Sequence, residues 1–190
     1  MDFDEEIEYA KGLMEFETST LMFGEHAIQI SQMEDVPAGA AIFMLAQLQE
    51  ANEEISGKCL WAGSQCLCLE LAKSPERVAG KRVIELGSGT GLASILAHRL
   101  GAKLVVATDG DPEVVDLLKH NVSKNSADIP CRSLWWGVEE SVGNLKESFG
   151  AGFDVVIAGD VMYKEELVCL CLCMQISLFN FECYDCNTAF

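Results

Sequence analysis

The sequence predicts an α/β domain, a parallel sheet with helices on both faces and a ligand crevice beyond the carboxyl ends of its strands. Three observations carry this expectation. First, Lys81 to Gly91 reads KRVIELGSGTG, a short apolar run ending in three alternating glycines, and Leu92, Ile95, Leu96 and Leu100 follow at helical spacing. Second, Lys103 to Asp109 is another apolar run followed by a helical pattern. Third, Phe153 to Ala158 repeats the run and ends at Gly159-Asp160. Strands alternating with helices require right-handed crossovers, hence parallel pairing.

Taken in order, residues 1–36 form an acidic segment in which Leu21 to Ile30 alternates weakly around Gly24-Glu25 and predicts a small hairpin. Pro37 and Gly39 break the chain before a core expected over 37–167. Its first helix is expected over 40–54, with Ile42, Leu45 and Ala46 apolar. A second runs from about Cys59 to Ala72, with Leu60, Leu67 and Leu71 on one side and Ser74-Pro75 ending it. After the glycine turn, Gly101 closes a helix. Asp111 can cap the next, where Pro112 sits harmlessly in the first turn and the pattern continues to about Lys124. A third strand is expected within Cys131 to Trp135, and a helix after Asp160 from Lys164 to Leu167. Residues 168–190 form a separate Cys- and Phe-rich tail.

The totals narrow the function. A length of 190 residues suits one domain, and 49% hydrophobic content can furnish a core. A net charge of −17 and a pI near 4.4 argue against a nucleic-acid partner, which would need clustered Lys and Arg, and favour basic clients such as a lysine-bearing protein segment. Asp2, Asp4, Glu5 and Glu6 are the reverse of a secretory n-region, and no apolar run reaches the ~18 residues of a membrane span. The expected setting is intracellular and away from membranes. Nine cysteines, an odd number, are then expected to stay reduced.

The glycine turn is built to bind. Gly87, Gly89 and Gly91 allow dihedrals closed to other residues and let a ligand lie against bare main chain beside a helix N-terminus. A dinucleotide fingerprint would need a third glycine where Leu92 stands, and a P-loop would need Gly-Lys-Ser/Thr, so a phosphate is not the obvious guest. Asp109 ends the second strand, where a carboxylate can take two ribose hydroxyls. Asp111 could do the same, although a helix cap accounts for it better. In Leu134-Trp135-Trp136-Gly137 a ring could pack on adenine or simply fill the core, and Trp136 is preferred to Trp135. Asp160 and Tyr163 close the fourth strand, with a carboxylate to orient an amine and an aromatic face to favour a nearby cation. Asp160 could also cap the following helix.

Four blocks in order, ELGSGTGL, TDGDPEVVDLLKHNVSKN, LWWG and FDVVIAGDVMY, resemble methyltransferase family 16, the seven-strand, class I S-adenosylmethionine-dependent protein lysine methyltransferases. Phe23-Gly24, Ile28 to Ile30, Gln32 and Trp61 to Ser64 are similar to that family as well. The resemblance spans roughly residues 21–167. It implies a Rossmann-like sheet, S-adenosylmethionine as cofactor, and a protein substrate carrying a target lysine in the cytoplasm, with the nucleus as a second compartment. It further implies that Glu85, Gly87, Gly89 and Gly91 line the methionine part, Asp109 the ribose and Trp136 the adenine, with Trp61 close to the cofactor. Asp160 and Tyr163 would face the target side chain. An Asn/Asp-Pro-Pro-Tyr sequence, typical of enzymes acting on base or glutamine amino groups, is absent, because Val161-Met162 replace the prolines.

Two departures set alternatives beside this reading. Residues 164–190 are too few for three further strands, so the C-terminal strands are expected to be missing or incomplete, the outer edge of the fourth strand exposed, and the chain poorly stable or inactive. A small-molecule methyltransferase, or a truncated non-catalytic isoform that at most binds cofactor or a partner, are the alternatives, and histidine remains open as acceptor. Cys183-Tyr184-Asp185-Cys186 lies near Cys169, Cys171 and Cys173, yet alternating cysteines in an apolar run read more simply as small hydrophobes, so no metal site is expected.

Overall fold

The computed structural model describes residues 16–33, 56–150 and 152–161. The helix expected over 40–54, Tyr163, the helix from Lys164 and the tail lie outside the described residues. The N-terminal alternation becomes an antiparallel hairpin of β1 (Phe16–Phe23) and β2 (His26–Met33), longer than the sequence suggests. Gly24, at φ +61, opens its two-residue turn, the geometry that matches the strands' own twist. The hairpin's inward face carries Ile28 and Ile30, both fully buried.

The second sheet follows the strand and helix pattern of the core. Its elements are α1 (Ala62–Lys73), β3 (Arg82–Leu86), α2 (Leu92–Arg99), β4 (Leu104–Asp109), α3 (Pro112–Lys124), β5 (Cys131–Ser133), α4 (Glu139–Phe149) and β6 (Val155–Ile157). All pairings in this sheet are parallel, in the order β5-β4-β3-β6. The chain steps outward from β3 to β5 and then crosses back to place β6 on the other side of β3. Such a reversal opens a crevice at the strands' carboxyl ends, and β3, with the glycine turn, stands beside it.

Side chains on β3 alternate between two cores, as pleating requires. Val83 joins Val105, Ala107, Ile95, Leu96, Leu118 and the hairpin's Ile28 and Ile30 on one face. Ile84 and Leu86 join Val106, Leu134, Leu145 and Phe153 on the other. A run buried on both faces explains why β3 reads as continuous rather than alternating apolar sequence.

Three differences from the sequence reading have physical causes. The third and fourth strands are short, ending at Ser133 and starting at Val155, because the paired register with β4 and β3 spans three residues in each. Helix α4 was not foreseen, since Ser141, Gly143 and Asn144 dilute its helical character, yet Val142, Leu145 and Phe149 do recur at helical spacing and pack on the second core. Arg82 ties that helix down, donating to the carbonyls of Phe149 and Gly152 while its main-chain N–H donates to Asp154 Oδ2 at 2.8 Å. No helix among the described residues is long and apolar enough to cross a membrane.

Candidate active site at the carboxyl edge of the sheet

The glycine turn joins β3 to α2 with Gly87, Gly89 and Gly91 all at positive φ, +62°, +51° and +85°. Space as well as conformation demands glycine here. A Cβ at Gly87 would lie 2.8 Å from Val161 Cγ1, one at Gly89 would lie 3.1 Å from the carbonyl of Gly57, and one at Gly91 would overlap Leu118. The turn is thus gripped by three separate segments.

Beneath it lies Glu85, 2% exposed. The sequence reading places this carboxylate along the ligand; in the structure Oε2 accepts from the Ser94 N–H at 2.9 Å and from Ser94 Oγ at 2.5 Å. Ser94 is in the first turn of α2, so Glu85 satisfies from inside the protein one of the N–H groups that a helix N-terminus leaves without a helical partner. Burial pushes the Glu85 carboxyl up to about 7 against the opposing pull of the Ser94 and Ser88 hydrogen bonds. Burial, and after it the neighbouring Glu85, raises the pKa of the Cys68 thiol, which makes it a poor nucleophile.

Asp109 ends β4 at the open side of the turn. Its Oδ2 accepts from the Gly89 N–H at 3.0 Å and its Oδ1 from the Asp111 N–H at 3.2 Å. Burial raises its pKa, and the main-chain N–H groups of Gly89, Asp111 and Gly110 oppose that shift. A carboxylate has about four acceptor positions, so capacity remains for hydroxyl donors. Asp111 itself caps α3, accepting from the Glu113 N–H at 2.8 Å, the role the sequence favoured for it.

The two tryptophans diverge. Trp136 packs into the second core with its ring edge 3.7 Å from a Cβ at Gly87, whereas Trp135 is 54% exposed and lies over Gly110, next to Asp109. Trp61 precedes α1 and is half exposed.

Asp160 follows β6 at φ +56, a left-handed conformation that Asp tolerates better than most residues but that is still strained. It caps α1; the helix expected from Lys164, which it could also cap, lies outside the described residues. Asp160 Oδ2 accepts from the Gly63 N–H at 2.6 Å, and Trp61, the N-cap residue, makes no side-chain cap of its own. A Cβ on Gly63 would fall 2.5 Å from the Asp160 carboxylate, and one on Gly159 would fall 3.1 Å from Ser64 Oγ. The end of β6 and the start of α1 are therefore in intimate contact.

The structure brings Glu85, the three glycines, Asp109, Trp136 and Asp160 to one sheet edge, with Glu85 below it. Several residues of the site escaped the sequence reading. Ser88 and Thr108 extend the β3–β4 pairing into the turn: Ser88 N–H donates to the Thr108 carbonyl at 2.8 Å, Thr108 N–H to Ser88 Oγ at 3.0 Å, and Thr108 Oγ1 to the Glu85 carbonyl at 2.6 Å. Polar residues at the end of an otherwise apolar run were the available signal. Among the described residues, no group of His, Cys, Asp and Glu is arranged to hold a metal ion.

Comparison with known proteins places this architecture. The family model for lysine methyltransferases matches residues 44–181, past the boundary at 167 that the motifs suggested. Over 114 residues the chain is 35% identical to calmodulin-lysine N-methyltransferase of Arabidopsis thaliana, covering 57% of this chain and 36% of that protein. Over 108 residues it is 36% identical to the electron transfer flavoprotein beta subunit lysine methyltransferase of Danio rerio, covering 56% and 38%. The chain thus spans less than half the length of these curated relatives. Among solved structures, the T. Thermophilus 16S rRNA N2 G1207 methyltransferase, in complex with AdoMet and guanosine, superposes with a TM-score of 0.51 at 20% identity, covering 75% of this chain and 32% of that one, a likeness of fold.

Proposed function

We propose that this chain, which belongs to the lysine methyltransferase family, holds S-adenosylmethionine at the glycine turn of β3 and directs methyl transfer to a lysine side chain of a protein. The observation that carries the reading is the bond from Gly89 N–H to Asp109 Oδ2, which ties left-handed glycine main chain to an acid with spare acceptor capacity at the sheet's reversal point. The names of the Arabidopsis and zebrafish relatives support a lysine in a protein as acceptor.

The residues present fit such a cofactor. Asp109 would take ribose hydroxyls, the bare main chain around Gly87 and Gly89 would accept the methionine part, and Trp136 beside Gly87 and Trp135 over Gly110 offer apolar faces. When bound, S-adenosylmethionine supplies a methyl group on a sulfonium centre. The protein's own task is positioning, because an in-line displacement needs an unprotonated amine held along one axis. Asp160 uses one oxygen on Gly63 and has acceptor positions left for an amine N–H, which would orient the amine lone pair. Tyr163 is proposed to flank that amine. Glu85 serves indirectly, fixing α2 under the turn.

The activity is proposed to lie in the cytoplasm, with the nucleus as a second compartment, and the reduced thiols Cys66, Cys68 and Cys131 are in keeping with that. Incubating the full chain with methyl-labelled S-adenosylmethionine and a cell lysate should put acid-stable label into protein, recovered as methyllysine on hydrolysis. Label confined to small molecules would transfer the reading to a small-molecule methyltransferase. No cofactor binding by calorimetry would end it.

A further inference from the structure

We propose that Asn121 is a positioning residue that locks the N-terminal hairpin and the glycine turn into one unit, so that the hairpin's docking sets the shape of the turn. Asn121 lies in the middle of α3, among Leu118 and Val122, and is fully buried. A buried amide is costly unless its hydrogen-bonding groups are satisfied, and here they are. Oδ1 accepts from the Ser31 N–H at 2.8 Å, and Nδ2 donates to the carbonyls of Ser31 and Thr90, each at 2.9 Å. The first two bonds grip β2, and the third grips the turn between Gly89 and Gly91.

Asn125, one helical turn on, repeats only the first half of this pattern. Its Oδ1 accepts from the Gln29 N–H at 2.9 Å and its Nδ2 donates to the Gln29 carbonyl at 2.6 Å and to the Asn121 carbonyl at 2.8 Å. The match has a geometric basis. Four residues of helix rise about 6 Å and two residues of strand about 6.6 Å, so amides four apart on α3 can read backbone groups two apart on β2 in the manner of a neighbouring strand. Both amides dock the hairpin; Asn121 alone also holds Thr90. The Thr90 carbonyl fixes the peptide leading into Gly91, whose N–H donates to the Ser88 carbonyl at 2.8 Å and whose carbonyl accepts the first helical bond of α2 from Ile95 N–H at 3.0 Å. Leucine at 121 would fill the space but strand three backbone groups, and aspartate would set a carboxylate against two carbonyls.

The consequence for cofactor affinity rests on the proposed function; the coupling itself does not. The full chain is compared with its N121A, N121D and N125A variants, each at the same interval below its own melting temperature. Hydrogen exchange is read over residues 87–92 and 26–33 without cofactor, and S-adenosylmethionine affinity by calorimetry. The expected result is faster exchange in both segments for N121A, but in the hairpin segment alone for N125A. Affinity should fall about tenfold for N121A and stay within about threefold of the parent for N125A, the scale of one buried hydrogen bond. If N121A does not fold, the isosteric N121D, which keeps the Ser31 N–H bond and loses both donors, carries the comparison. Equal exchange over 87–92 in the Asn121 and Asn125 variants overturns the proposal. A parent chain that binds no cofactor overturns the methyltransferase reading, while the exchange comparison still decides the coupling.

Discussion

At the scale of the residue, Glu85 sets a pH dependence whose sign can be worked out. Its carboxyl titrates near 7 in the folded protein and near 4.5 as the ordinary value, so between these limits the native state binds the extra proton. Stability attributable to this group is then highest below about pH 4.5 and falls as pH rises toward 7, a loss on the order of 3 kcal/mol. Gln at this position can still accept both Ser94 bonds and does not ionise. Glu85→Gln is therefore expected to gain on the parent steadily from pH 4.5 to 7, and by nothing further above about 7, in urea melts across that range. A stability difference independent of pH would show that the carboxylate is not held as described. Local chemistry made some of these roles readable in advance, as with Asp111, whose partner Glu113 is two residues away. The cap that Asp160 provides was not readable, because Gly63 lies 97 residues earlier.

At the scale of the element, α1 depends for its start on a residue at the far end of the described chain, and this makes a double-mutant test decisive. In a helix Ala is favoured over Gly by about 1 kcal/mol, so Gly63→Ala would ordinarily stabilise α1. With Asp160 present, the new Cβ meets the carboxylate and displaces the cap, which is itself worth about 1 kcal/mol. Gly63→Ala should be neutral or destabilising in the parent and stabilising in an Asp160→Ala background, a coupling of 1–2 kcal/mol by chemical denaturation. The same effect in both backgrounds would refute the contact. The elements also show where periodicity informs: β3 and β4, buried on both faces, stood out as apolar runs, whereas β5 and β6 are three residues each and α4 mixes its apolar stripe with Gly143 and Asn144. The hairpin's place over α3 was illegible for a different reason, since Asn121 and Asn125 look like solvent-facing residues until their backbone partners on β2 are known.

At the scale of the whole molecule, 30 acidic residues against 13 basic ones leave a field that attracts cations toward an edge already carrying Asp109, Asp111 and Asp160. Steering of this kind acts mainly on the approach of a charged partner, and salt weakens it because the screening length shrinks from about 10 Å at 0.1 M to about 3 Å at 1 M. If the acceptor is a lysine in a protein, a peptide whose target lysine is flanked by basic residues should show KM rising several-fold between about 0.05 M and about 0.5 M salt, with kcat nearly constant because the field acts on encounter and not on the positioned amine. A peptide with acidic flanks should show the reverse trend, as screening relieves repulsion. Initial-rate measurements on both peptides across the salt range distinguish the field from a general effect of ions on stability, which would lower kcat for both alike. Parallel salt responses for the two peptides would mean that the acidity serves solubility rather than recognition, and the choice of substrate would then rest on the shape of the crevice between β3 and β6.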